Sequence, residues 1–412
     1  MKRRQGSLGA MACRRARLLG HGLIIATLFM VVAMPIFAEP VFSGILTTTL
    51  DTVAGAGEAS DFSYGTEQYA NVRMRSSLGD RAVVQAAVNL IAATGSGAET
   101  LLYSNDRAES STDDENYVAK LELERLYAQI RGEVTDIELG LMRIAFGYGQ
   151  AFRPTDFLNP PNPLLPDARP RGSLGGTLAF YPSDLTKILF FSAGGVDPLE
   201  TAGDGLLFGA SGENHWSNVS VQLLYAFQAP DEEYWMGFHR GGVSLKLDTA
   251  VGIVLDALYG FDPADPEGWT GLEAALGVDA SLFDGDLYAV VQYLFHGPGY
   301  LGHSQSIREL DAAELNSEEL SDYSRRNYLY AQGIYSLDDY TRVNFSFLFT
   351  PDDFSCSPAM GFEYEPFQGC TLAMTGRLSL DGEFLSSGER GELGPIFTGT
   401  YGSVHTTFTL RF

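Results

Sequence analysis

"SVHTTFTLRF" closes the chain at residues 403–412, and its alternation decides the fold. Val404, Thr406, Phe408, Leu410 and Phe412 fall on one side of an extended strand, and His405, Thr407, Thr409 and Arg411 fall on the other. The same period of two recurs upstream. In "RLYAQIR" (125–131), Leu126, Ala128 and Ile130 oppose Arg125, Tyr127, Gln129 and Arg131. In "TRVNFSFLF" (341–349), Val343, Phe345, Phe347 and Phe349 oppose Arg342, Asn344, Ser346 and Leu348. In "TLAMTGRLSL" (371–380), Leu372, Met374, Leu378 and Leu380 oppose Thr371, Ala373, Thr375 and Arg377.

A soluble β-sandwich also alternates, so length and rhythm must decide. The strands read here are mostly roughly 9–13 residues long, whereas soluble strands average about 5–6. Short turns are read near Gly79-Asp80, Gly132-Glu133, Pro182-Ser183, Leu247-Asp248, Asp284-Gly285, Leu337-Asp338 and Pro366-Phe367. Long connections are read at about 52–64, 94–116, 148–172, 298–324 and 381–399. The two kinds alternate only if "GLLFGAS" (205–211) is itself a strand, which gives about 18 strands. The alternative count is 16. No apolar run of about 18 residues follows the N-terminal stretch, so no helix is expected to span a membrane. In hydrocarbon every backbone polar group must be paired, which leaves a closed sheet. The expected fold is all-β, a transmembrane antiparallel β-barrel with both ends on the short-turn side. Its first strand starts near Val41, which leaves no room for a plug domain.

Residues 1–38 read as an export signal: Arg14, Arg15 and Arg17, an apolar run from Leu18 to Ala33, then Ala38 before the cut. The barrel then occupies 39–412. Six of the 27 Lys and Arg lie in residues 1–38, which hold no acid. The remainder carries 21 cations against 52 acids, a net of −31. That balance excludes nucleic acid as a partner. Of the three cysteines, Cys13 leaves with the signal. Cys356 and Cys370 flank a strand–turn–strand in which Cys370 falls opposite about residue 364, so no disulfide is expected.

"FGYGQAFRPTDFLNPPNPLLPDARPRG" (146–172) breaks the rhythm and holds six of the 18 prolines. Connections this long are usually functional. Phe152, Phe157, Leu158, Leu164 and Leu165 are poorly suited to water, and proline lowers the entropy lost on fixing a loop. The segment 148–172 is therefore expected to fold inward and narrow the barrel.

Within "YAQIRGEVTDIELGLMRIAFGYGQAFRPTDFLNP" (127–160), Arg143, Ile144, Phe146, Gly147, Phe152, Pro154, Asp156, Asn159 and Pro160 follow one pattern. It resembles the core of the alginate-export-like outer-membrane porins, over about 35 residues. The chain departs from that pattern at Leu141-Met142, where a Gln before the Arg is common, and at Pro161, Pro163 and Pro166. The resemblance implies a porin-type barrel and says little of the solute. Phe412, ending an alternating strand, resembles the assembly signal of outer-membrane barrels.

Eleven of the 21 cations lie between residues 73 and 171. Arg73, Arg75, Arg125 and Arg131 oppose apolar neighbours and should face the lumen, because Arg on the lipid face costs roughly 2–4 kcal/mol at the midplane. Arg143 is out of phase. A bulge near Met142 would turn it inward and leave Ile144 and Phe146 outward. The candidate constriction is Arg125, Arg131, Arg143, Phe152, Arg153, Asp156, Arg169 and Arg171. The bland alternative pairs these arginines with Glu122, Glu124 and Glu138.

Chemistry is not expected. The five histidines after the signal are scattered, and no H-E-x-x-H, P-loop or CxxC occurs. Acidic runs such as Asp113-Asp114-Glu115 lack the alternate spacing of a calcium loop. The expectation is a non-enzymatic channel of the bacterial outer membrane, without cofactor or metal, passing small hydrophilic solutes. Its partners would be outer-membrane lipid and the barrel-assembly machinery, with a homo-oligomer left open. Two rivals remain. One is a surface adhesin or structural anchor working through long acidic loops (113–115, 309–322). The other is a transporter of apolar molecules, which would need a plug and an apolar lumen, whereas the inward phase reads as polar.

Overall fold

The computed structural model describes residues 40–55, 62–96, 117–161, 163, 172–194, 206–230, 236–264, 271–299, 325–381, 392–394 and 400–412. The signal at 1–38, Leu164, Leu165, Pro166, Arg169, Arg171 and the acidic runs at 113–115 and 309–322 lie outside the described residues.

The described strands are β1 (Val41–Gly55), β2 (Phe62–Leu78), β3 (Ala82–Gly95), β4 (Tyr117–Arg131), β5 (Thr135–Met142) and β6 (Ser173–Ser183). Next come β7 (Thr186–Ala193), β8 (Leu207–Trp216), β9 (Val219–Gln228), β10 (Phe238–Leu247), β11 (Gly252–Phe261) and β12 (Leu272–Leu282). The last are β13 (Leu287–His296), β14 (Asn327–Ser336), β15 (Thr341–Phe349), β16 (Cys356–Phe367), β17 (Cys370–Leu378) and β18 (Thr400–Arg411). Each pairs antiparallel with the next. β1 also pairs with β18, from Ile45↔Arg411 to Gly55↔Thr400. That last pairing closes an 18-stranded sheet and leaves no edge with unpaired backbone. Among the described residues no separate domain fills the lumen.

The strand count turned on 205–211, and β8 is there, so 18 stands and 16 does not. Short connections (79–81, 132–134, 184–185, 217–218, 248–251, 283–286, 337–340, 368–369) alternate with longer ones. Two turns lie slightly later than the sequence suggests. Register shifts between Phe180/Ser183 and Tyr364/Phe367 add residues to β6 and β16 before the chain reverses. The same shift moves the partner of Cys370 to Phe367, and both described cysteines are free thiols. The connection expected at 52–64 shrinks to 56–61, because the sheet continues through Thr52↔Tyr64 to Ala54↔Phe62. β-branched threonines suit such a pleated surface.

Burial is inverted relative to a soluble protein. Leu90 opposite Leu121, and Phe345 opposite Met360, are exposed apolar pairs on the outer face. Asn71 opposite Asn89 is a buried polar pair on the inner face. Exposed aromatics mark both rims: Phe42, Trp216, Phe283 and Tyr340 near the short turns, Phe62, Tyr117 and Tyr401 near the long connections. Such girdles frame the apolar band of membrane barrels. Phe412 clamps the seam. Its N–H donates to Gly44 O at 3.0 Å, and its carbonyl accepts from Gly44 N–H at 2.8 Å. Gly44 must lack a side chain, since a Cβ there would lie 2.6 Å from the Phe412 ring.

The closed sheet carries an expected outcome. Detergent-folded protein should give a β-type circular dichroism spectrum and migrate differently on gels before and after boiling. A helical spectrum, or solubility without detergent, would contradict it.

Candidate functional site

After Met142 the chain leaves the sheet, and residues 143–161 run along the inner side of the barrel. β5 pairs without a register shift on either side, so the bulge expected near Met142 does not form. Ile144 and Phe146 do not face outward. They are buried in a cluster with Met142, Leu189, Phe191 and Leu207, while Arg143 is exposed. Alternation predicts facing only while a residue has strand neighbours, and these three do not.

That cluster also corrects the reading of the inward phase as polar. Ala179, Leu189, Phe191, Leu224 and Ala226 belong to the inner phase of β6, β7 and β9 and form an apolar floor. Phe146 covers it, with its ring 5.0 Å from that of Phe191, and Phe157 and Leu158 pack beside it. The signal was in the sequence: "ILFF" (188–191) and "LLYAF" (223–227) are apolar in both phases.

Backbone that crosses a lumen has no strand partner, so its N–H groups need other acceptors. Six consecutive amides find them on side chains of β9, β11 and β13. Gly147 N–H donates to Gln222 Oε1 of β9 at 2.7 Å. Tyr148 N–H (3.2 Å to either oxygen) and Gly149 N–H (2.5 Å) donate to the Asp256 carboxylate of β11. The N–H groups of Gln150 (3.1 Å), Ala151 and Phe152 (3.3 Å) converge on Gln292 Oε1 of β13. Asp256 is fully buried and Gln292 nearly so. Side chains add further ties. Tyr148 OH donates to Glu213 Oε1 at 2.8 Å, and Thr155 Oγ1 lies 3.0 Å from Ser244 Oγ. Burial, then the Glu213 bond, raise the Tyr148 hydroxyl pKa.

The glycines make this approach feasible. Gly147 has φ +79°, and a Cβ there would lie 2.3 Å from Thr155 Oγ1 and 3.0 Å from Asp256 Oδ1. A Cβ on Gly149 would meet Phe152 O at 1.9 Å and Asp256 Oδ2 at 2.8 Å.

Arg153, Asp156 and Asn159 shape the next turn. Asp156 N–H donates to Arg153 O (2.9 Å) and Asn159 N–H to Asp156 O (3.0 Å). The Asp156 carboxylate accepts Phe146 N–H at 3.3 Å and pairs with Arg153 Nη1 at 3.2 Å. Arg153 Nε donates to Gly149 O at 2.8 Å. Burial raises the Asp156 pKa to about 6, with Arg153, Phe146 N–H and Arg143 pulling it back. Phe152 ends the crossing in a second buried cluster. Its ring lies 6.4 Å from Tyr328 and 6.3 Å from Tyr330.

Arg73 and Arg125 share one inner row, both opposite Ala87, with Arg75 in the next row opposite Gln85. The three line a cavity of about 220 Å³ together with Ser43 and Gln85. Arg73 Nε donates to Asn71 Oδ1 at 2.6 Å, and Arg125 Nε meets Glu124 at 3.1 Å. Glu122 pairs with Lys120 at 2.9 Å, and Glu138 accepts Gln129 Nε2 at 2.9 Å. Arg131 ends β4 at the short-turn rim, its N–H donating to Arg81 O. Of the candidate residues, Phe152, Arg153 and Asp156 come together on the crossing segment, with Arg143 near enough to act on Asp156. Arg125 and Arg131 stand on β4. Asp256, Gln292 and Gln222 were missed, though Asp256 is the one charged or polar side chain in the inward phase of β11 and the two glutamines each stand beside an apolar inward residue, Leu294 and Leu224.

No protein-family model and no curated protein matches the chain. Solved structures do. Acinetobacter baumannii OccAB4 superposes with a TM-score of 0.57 at 9% identity, covering 91% of this chain and 98% of that one. A BenF-like porin from Pseudomonas fluorescens Pf-5 gives 0.55 at 9% identity, with 91% and 98% covered. Pseudomonas aeruginosa OccK2 (OpdF), solved with glucuronate, gives 0.55 at 10% identity, with 91% and 96% covered. The fold is that of outer-membrane porins. The rest of each protein's chemistry stays with that protein at such low identity.

Two outcomes follow from the crossing segment. Gly147→Ala should cost on the order of 1–3 kcal/mol in strain at a positive φ, read as faster amide exchange over 147–152 in a barrel that still folds. For Asp156, the folded pKa lies above its unfolded value. Its protonated form therefore stabilises the seated segment, fully below about pH 4 and lost as pH rises through about 6. Exchange over 146–159 should slow between pH 7.5 and 4.5, after correction for intrinsic rates. Asp156→Asn should flatten that dependence.

Proposed function

We propose that the chain is a non-enzymatic outer-membrane channel for passive diffusion of small hydrophilic solutes, exported by a signal at residues 1–38. The observation that carries this reading is a closed barrel crossed by a segment whose amides are tied to the opposite wall. A surface anchor has no use for such a strap, because its work lies outside the barrel. The apolar floor does not favour the transporter of apolar molecules, since Phe146, Phe157 and Leu158 cover it.

The constriction is the gap between the crossing segment and the wall of β2–β4. Arg125, with Arg73 and Arg75, supplies a basic wall on one side. Arg143, Phe152, Arg153 and Asp156 belong to the strap, Arg131 to the inner rim, and Arg169 and Arg171 to the same connection. Small organic anions, carboxylates above all, are the solutes this charge favours. Support comes from the shared arginine cavity and from the glucuronate held by one porin of the same fold. The likeness of 127–160 to alginate-export-like porins fits the same class.

Planar bilayers test both levels. Purified protein should give discrete conductance steps, and their absence from a folded barrel would favour the anchor. Under a salt gradient, replacing Arg75 and Arg125 with Gln should move the zero-current potential toward cation preference. An unchanged potential would reduce the arginine wall to structural pairing.

A further inference from the structure

Residues 392–394 are a described stretch in the middle of the long connection between β17 and β18, and they lie inside the fold. Leu393 is 1% exposed and belongs to the cluster of Ala151, Phe152, Leu294, Tyr328 and Leu348. Its seat is built from polar groups of two other connections. The buried Asp353 carboxylate accepts Glu392 N–H at 2.7 Å and Arg325 Nε at 3.0 Å on one oxygen. Its other oxygen accepts Ser355 N–H (2.9 Å) and Ser355 Oγ–H (2.7 Å). Ser355 Oγ in turn accepts Leu393 N–H at 3.0 Å. Tyr328 OH donates to Glu392 Oε2 and accepts Arg325 N–H at 2.7 Å. Burying Arg325, Asp353 and Glu392 together is costly unless each is bonded. All three are bonded here, and the network's product is one apolar side chain set against the end of the crossing segment.

We infer that Leu393 is a keeper: it seats the distal end of the segment against Tyr328 and so fixes the aperture, with Asp353 and Ser355 positioning it. The segment is held covalently at Met142 and by Asp256 and Gln292 along its length. The Phe152 side chain meets apolar and aromatic wall residues, Leu294, Leu348, Tyr328 and Tyr330 among them, and Leu393 joins that cluster with a side chain from another connection. The constriction is then made by two connections reaching in from different parts of the barrel. The aperture claim rests on the channel reading above, whereas the seating claim does not.

Leu393→Ala, Ser355→Ala and Leu393→Met separate these claims. Leu393→Ala should speed amide exchange at Ala151 and Phe152 about tenfold, as expected when a local opening becomes easier, and raise single-channel conductance and open-channel noise. Ser355→Ala keeps the apolar contact but removes the acceptor of Leu393 N–H, and should do the same more weakly. Leu393→Met, similar in volume, should restore native behaviour. Native exchange at Ala151 and Phe152 in a folded Leu393→Ala barrel would overturn the seating. Faster exchange with unchanged conductance would overturn the control of aperture. If the native protein does not conduct, the channel reading fails while exchange still decides the seating.

Discussion

Every amide that leaves the sheet inside this barrel must find an acceptor, and Gln222, Asp256 and Gln292 supply acceptors to six in a row. The rest of the interior follows from that constraint. The acceptors must stand in the inward phase of β9, β11 and β13, so those strands break their apolar runs at these points. The backbone must come close, so Gly147 and Gly149 carry no side chain. The strap must then lie flat, so the wall beneath it is apolar and Phe146 and Phe157 fill the space.

The same constraint explains what was legible beforehand. Hydrocarbon forces outward residues to be apolar, so Phe345, Met374 and Ile130 could be placed from period two alone. The strand count was legible through β8, whose reading as a strand was required by the alternation of turns. Turn positions at 182–183 and 366–367 were not, because bulges insert residues without changing the hydrophobic pattern.

The crossing segment was legible only in outline. Proline content and aromatic side chains marked 146–172 as unusual. Its anchors are more than a hundred residues away for Asp256 and Gln292, and nothing local points to them. Ile144 and Phe146 were assigned the wrong side for a related reason: strand phase was extended past Met142, where the ladder that enforces it has ended. A lone carboxylate in the inward phase of an otherwise apolar strand, as at Asp256 in β11, is the signal that links the two distant parts.

Charge around the strap depends on which ionised groups are left uncompensated by bonded partners. The acids that touch the strap are buried, Asp156 on the strap itself and Asp256 on β11. Asp256 is saturated by amide donors, and Asp156 is fully buried, bonded to Arg153 and biased by burial toward its neutral form. Their fields are compensated at short range. Arg143 is exposed, and Arg125 is partly so despite Glu124. Carboxylates on distant connections are screened beyond about 8 Å at physiological salt. A chain with a strongly acidic total can therefore keep uncompensated guanidinium groups: Asp156 and Asp256 are taken up by bonds that hold the strap in shape, while Arg143 and Arg125 keep exposed surface.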